Sequence, residues 1–173
     1  MKKLGLALLL LPTISFADNV NFVGAEYAWT SGYTGLNVDG YTVSYKAVID
    51  ENLSAGLEYV VIDVEDYYGY GYRSDVAIAQ VDYAFGSFKT GSLYAGVGIG
   101  FSDGNTEEAV EVGFAKRSGE GFDYGLAVTF DDGDSAVEAS FRAPLGDSGL
   151  GWTFGVGVSD GITASRTGLN IAF

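Results

Sequence analysis

The sequence contains no cysteine and no histidine. Without cysteine there is neither a disulfide framework nor a thiolate metal site. Without histidine, the side chain that most often serves as general base or activates a nucleophile is missing. Proline occurs only twice in 173 residues, so few positions lack a backbone donor and long hydrogen-bonded strands can form. Cations are scarce as well. Nine Lys and Arg stand against 23 Asp and Glu, for a formal net charge of −14. Setting aside Lys2 and Lys3 leaves seven basic residues. Phosphate binding needs a basic face, so nucleic acid is excluded as a partner. No apolar run anywhere approaches the roughly 20 residues of a spanning helix.

The amino end has its own pattern. Met1-Lys2-Lys3 is a short basic region, Leu4 to Leu11 is apolar, and Ser15 and Ala17 are small. This reads as a secretory signal peptide over 1–17, cleaved after Ala17. Residues 18–173 then form a single domain.

What the chain has in quantity is glycine, at 26 residues, and aromatics, at 14%. From residue 22 onward the hydrophobic period is two, which is the period of a strand. Tyr41, Val43, Tyr45 and Ala47 alternate with Thr42, Ser44 and Lys46. Leu93, Ala95, Val97, Ile99 and Phe101 alternate with Tyr94, Gly96, Gly98 and Gly100. Ten such stretches follow one another, an even number, and their length of about 9–11 residues suits strands that cross a bilayer. The connections alternate too. Asp50–Asn52, Gly86–Gly91, Ser118–Glu120 and Gly146–Gly149 fall on the side of both termini. Ser31–Asp39, Asp63–Arg73, Ser102–Thr106, Asp131–Asp134 and Ser159–Gly161 fall on the other, the first two being longest. The predicted fold is all-β: a closed antiparallel up-and-down transmembrane barrel of ten strands, with eight as the alternative.

The two faces of these strands differ in bulk. A lumen filled with the bulky face would be overcrowded, because narrow barrels hold small or modest side chains inside. The bulky face is therefore expected against lipid, with the glycines inside. Aromatics gather near strand ends: Tyr27, Trp29, Tyr41, Tyr59, Phe101 and Phe130 at the loop side, Phe85, Phe122, Tyr124, Phe141, Trp152 and Phe173 at the turn side. Two aromatic girdles around an aliphatic band are what a bilayer selects. The same phase turns Glu26, Glu58, Asp82, Glu111, Asp123 and Glu138 into the lumen, where Lys46, Arg117, Arg142 and Arg166 face them. Glu26 and Arg166 lie on the strands that would close the barrel and are expected to pair.

The last stretch, Thr167-Gly168-Leu169-Asn170-Ile171-Ala172-Phe173, resembles the carboxy-terminal signal of bacterial outer-membrane barrels. Its signal positions here are Gly168, Ile171 and Phe173. With the signal peptide and strand pattern, the mature chain is similar to small barrels of the OmpA/OmpX/opacity-protein type, a group that typically has eight strands. The resemblance implies the outer membrane of a Gram-negative bacterium. It implies as partners the outer-membrane lipid with its lipopolysaccharide, and the barrel-assembly machinery. Enzymes of this membrane rely, by the same resemblance, on a catalytic histidine, which this chain lacks.

No motif calls for a cofactor or metal. Gly96–Gly100 reads GVGIG but fits strand alternation and has no helix after it. Asp131–Asp134 reads DDGD but lacks the rest of an EF-hand loop. Asp63–Arg73 is acidic and rich in tyrosine, a composition suited to recognition of an extracellular ligand. Three functional classes follow. The first is a non-enzymatic surface barrel, structural or adhesive, with a plugged lumen. The second is a narrow cation-preferring pore, and the third a hydrolase built on carboxylates alone.

Overall fold

The computed structural model describes residues 21–31, 36–66, 68, 70–102, 104–116, 121–131, 134–160 and 162–173. The expected signal peptide and Arg117 lie outside the described residues. Ten strands follow in chain order: β1 Phe22–Ser31, β2 Leu36–Val48, β3 Leu53–Asp66, β4 Gly71–Phe88, β5 Gly91–Ser102, β6 Asn105–Lys116, β7 Asp123–Asp131, β8 Asp134–Pro144, β9 Leu150–Ser159 and β10 Ile162–Ala172. Each pairs antiparallel with its sequence neighbours, and β10 returns to β1, so the sheet is a closed barrel.

Closure is continuous. Partners run from Phe22 opposite Ala172 to Ser31 opposite Thr163. Beyond them Asn21 and Phe173 exchange two backbone hydrogen bonds, each 3.0 Å. The sheet therefore has no free edge, which is the condition for strands to lie in hydrocarbon.

Alternation decides which face meets what. Leu57, Phe85 and Val97 point outward and are 61, 60 and 59% exposed. Every strand adds such a residue, so the outer wall is apolar all round. A monomer in water rarely exposes a contiguous apolar patch above a few hundred Å². A wall apolar around the whole barrel is a bilayer wall, and the chain spans a membrane.

The strands are longer than the alternation suggests. Leu36–Asp39, Asp63–Asp66 and Gly71–Arg73, expected as loops, are strand, and β4 reaches 18 residues. In this region the outward positions change from apolar to charged: Asp39 stands opposite Asp63, and Asp63 opposite Arg73. A strand that rises out of lipid keeps its ladder but loses its greasy face, so it reads as loop. The inward face keeps its aliphatics there: Val38, Ile62 and Val76 are buried, with Val64 packed against them.

The tight β8–β9 connection depends on Gly149, whose φ is +76°. Ala172 donates its amide to the Gly149 carbonyl at 2.9 Å, and the Ala172 carbonyl occupies the space a Cβ at Gly149 would need. Gly149→Val is expected to destabilise the barrel by about 1–3 kcal/mol, the range for a side chain forced into such a backbone region. Urea unfolding from lipid vesicles measures this; an unchanged midpoint would contradict the tight packing of this turn against β10.

Candidate functional site: the lumen of the barrel

Below an aliphatic patch on β1–β4 the inward face carries small and polar residues, and three cations organise it. Lys46 on β2 donates to Asp82 Oδ2 on β4 at 2.8 Å, reaching across β3. Its cross-strand neighbour on β3 is Gly56. Gln80 Nε2 donates to the other Asp82 oxygen at 2.6 Å. Arg166 on β10 forms an ion pair with Glu26 on β1 at 3.5 Å and a shorter one with Glu138 on β8. To reach Glu138 it lies over Gly155 of β9, where a Cβ would fall 2.7 Å from Arg166 Nε. Arg142 on β8 donates to Asn170 Oδ1 on β10 at 2.6 Å and pairs with Asp123 on β7 at 3.6 Å. It crosses β9 at Gly151, where a Cβ would fall 2.7 Å from Arg142 Nη2. Both arginines thus span an intervening strand where glycine removes the obstacle.

A fourth cluster is held by an aromatic. Tyr94 on β5 stands opposite Gly113 on β6, and its ring covers the glycine, with carbons 2.6 Å from a Cβ position. Only glycine fits beneath the ring. Tyr94 Oη donates to Glu111 Oε1 at 2.6 Å, and Thr129 Oγ1 donates to Glu111 Oε2 at 3.2 Å. Glu111 is 3% exposed. Glu58 is buried on β3, between Ser44 of β2 and Ile78 of β4 along the ladder.

The residues Glu26, Lys46, Glu58, Asp82, Glu111, Arg142 and Arg166, all expected in the lumen, are there and buried or nearly so. Lys46 pairs with Asp82, Arg166 with Glu26 and Glu138, and Arg142 with Asp123. Glu26 pairs with Arg166 diagonally, since Glu26 stands opposite Gly168 and Arg166 opposite Ala28. Gly168, Ile171 and Phe173 lie on or just beyond the closing ladder: Gly168 against the Ala25 carbonyl, Ile171 and Phe173 exposed on the outer wall. Tyr94, Gln80, Thr129 and Asn170 are partners that alternation placed inward without marking them. The legible signal for Tyr94 was its phase with Gly96, Gly98 and Gly100. Among the described luminal residues, carboxylates outnumber cations.

The two ends of the lumen differ. At the loop side, Ala28, Val38, Val60, Ile62, Val76 and Ile78 form a buried aliphatic cluster on the wall of β1–β4. Beside it opens a small space lined by Glu107, Glu108, Glu111, Asp131 and Asp134, together with Ile78, Ala109 and Ala136 among others. At the turn side a second small space is lined by Phe22, Ser44, Thr153, Asn170, Glu26 and Arg166, among others. On the outer surface at the loop-side girdle, Tyr27 donates to Asp39 at 2.7 Å and Tyr59 to Asp75 at 3.0 Å, while Arg73 donates to Tyr41.

Breaking a buried ion pair by removing one partner costs about 3–5 kcal/mol, because the other charge is left in a poor solvent. Arg142→Leu is expected to lose that much stability. Arg142→Leu combined with Asp123→Leu is expected to recover most of the loss. Equal destabilisation of both variants in equilibrium urea unfolding would show that Asp123 does not need the guanidinium.

No protein-family model and no curated protein sequence matches this chain. Solved structures do match. The KdgM porin superposes with a TM-score of 0.50 at 9% identity, over 89% of this chain and 98% of the porin. The translocator domain of the autotransporter NalP from Neisseria meningitidis gives 0.46 at 8% identity, over 94% of this chain and 91% of that one. The outer membrane protein OprG from Pseudomonas aeruginosa gives 0.40 at 14% identity, over 92% and 99%. The likeness to the porin is one of fold: this chain has the closed barrel architecture of outer-membrane β-barrels.

Proposed function

We propose that the chain is a non-enzymatic integral protein of the outer membrane of a Gram-negative bacterium, with a lumen closed by its own side chains and a structural or adhesive role at the cell surface. In this reading residues 1–17 export the chain, and Gly168, Ile171 and Phe173 are read by the barrel-assembly machinery. Outer-membrane lipid and lipopolysaccharide surround the wall. The acidic, tyrosine-rich end of β3 and β4, where Tyr68 and Tyr70 are 81 and 78% exposed, meets an extracellular ligand.

One observation carries the closed lumen. Inside the barrel the side chains interlock across strands: Lys46 with Asp82, Arg166 with Glu26 and Glu138, Tyr94 with Glu111. Narrow barrels fill much of their interior with side chains, and these pairs close this one between the spaces at its two ends. The absence of histidine from the whole sequence supports a role without catalysis.

A second reading, a narrow cation-preferring pore, draws on the excess of carboxylates inside and at the loop-side mouth. Conductance separates the two. Purified full-length mature protein in planar lipid bilayers is expected to be electrically silent while migrating as a folded, heat-modifiable barrel. Discrete cation-selective steps from the unaltered protein would contradict the closed lumen and favour the pore.

A further inference from the structure

Two spaces enter the lumen from opposite ends. On β8 the loop-side space ends at Ala136 and the turn-side space begins at Ser140. The inward residue between is Glu138. On β9 the corresponding limits are Ser159 and Thr153, and the inward residues between are Gly157 and Gly155. Glycine contributes no side chain there. On this side of the barrel the divider is therefore the Arg166–Glu138 pair laid across Gly155.

The turn-side space is a place for water. Thr153 Oγ1 is buried within it and has no hydrogen-bond partner on the protein. Buried hydroxyls of this kind are met by ordered water when the site is polar and roomy. The loop-side space is open and lined by Glu107, Glu108, Asp131 and Asp134.

The charges at the divider are lopsided. Glu26 and Glu138 flank it, and Glu111 lines the space above. The cation among them is Arg166. The other luminal cations are committed elsewhere, Lys46 to Asp82 and Arg142 to Asp123. A guanidinium between carboxylates stands where a mobile cation would stand.

We infer that Arg166 is a tethered blocking cation: it occupies the Glu26–Glu138 constriction of an acid-lined passage, and the barrel deprived of it conducts small cations. This rests on the closed lumen of the unaltered protein and adds to it the identity of the stopper. With the guanidinium gone, inorganic cations neutralise Glu26 and Glu138, and the acidic mouth raises their local concentration while repelling anions.

The test compares the full-length mature protein with Arg166→Ala and Arg166→Gln in planar bilayers under a potassium chloride gradient. Each variant is first shown to be a folded barrel by heat-modifiable mobility and β-type circular dichroism. The glutamine keeps most of the stem's volume and serves if the alanine variant does not fold. The expected result is discrete steps in the variants, with the reversal potential shifted toward the potassium equilibrium value. Free guanidinium ion added to Arg166→Ala is expected to suppress the steps, and the exchange Arg166→Glu with Glu138→Arg to restore silence. Folded variants that stay silent, or steps selective for chloride, would overturn the assignment. Steps in the unaltered protein would instead overturn the closed lumen on which it rests.

Discussion

Hydrocarbon offers no hydrogen bonds, and the structure is organised around that fact. A strand in lipid can satisfy its amides and carbonyls only on other strands, so the sheet has to close. The ladder between β1 and β10 meets this demand, and it continues to Asn21 and Phe173. Once the barrel is closed, the two-residue period sends every second side chain to lipid and the others to the lumen. The apolar residues stand outside because the solvent is outside, and the interior receives the polar remainder.

That inversion transfers the burden of specificity to the inside. Charges withdrawn from bulk water are tolerated when paired and hydrogen-bonded. Here the pairing is not confined to adjacent strands. Lys46 reaches Asp82, Arg166 reaches Glu138 and Arg142 reaches Asn170, each past one intervening strand. For the two arginines, glycine at 155 and 151 is what permits the reach, and glycine at 113 does the same for the ring of Tyr94. The glycines of the inner face are therefore the complement of the long side chains, one surrendering volume where another uses it.

Much of this was readable from the sequence, because a bilayer imposes a strict pattern. Strand number, the sign of each face, the two girdles and the Glu26–Arg166 pair follow from alternation and from the closing strands. The outward extension of β2, β3 and β4 did not follow. Above the lipid the outer positions Asp39, Asp63 and Arg73 carry charge, and the period-two hydrophobic signal fades although the ladder persists. Pairs such as Lys46–Asp82 were hidden for another reason. Their partners sit on strands that are not neighbours, and the choice depends on which intervening residue leaves room. The aliphatic cluster around Val60 and Ile62 was hidden because inward valine and isoleucine look like lapses in a polar face until both walls are assembled.

The central claim is that lipid chains bathe the bulky face of these strands. The protein carries its own reporters. It has two tryptophans, and both point outward from the wall: Trp29 at the loop-side girdle, 37% exposed, and Trp152 at the turn-side girdle, 38% exposed. Fluorescence of the unaltered protein reconstituted in vesicles with brominated acyl chains tests the claim directly. The account predicts strong quenching by the bromolipid and weak quenching by aqueous iodide. Emission untouched by the brominated chains but readily quenched by iodide would place water on that face and contradict it.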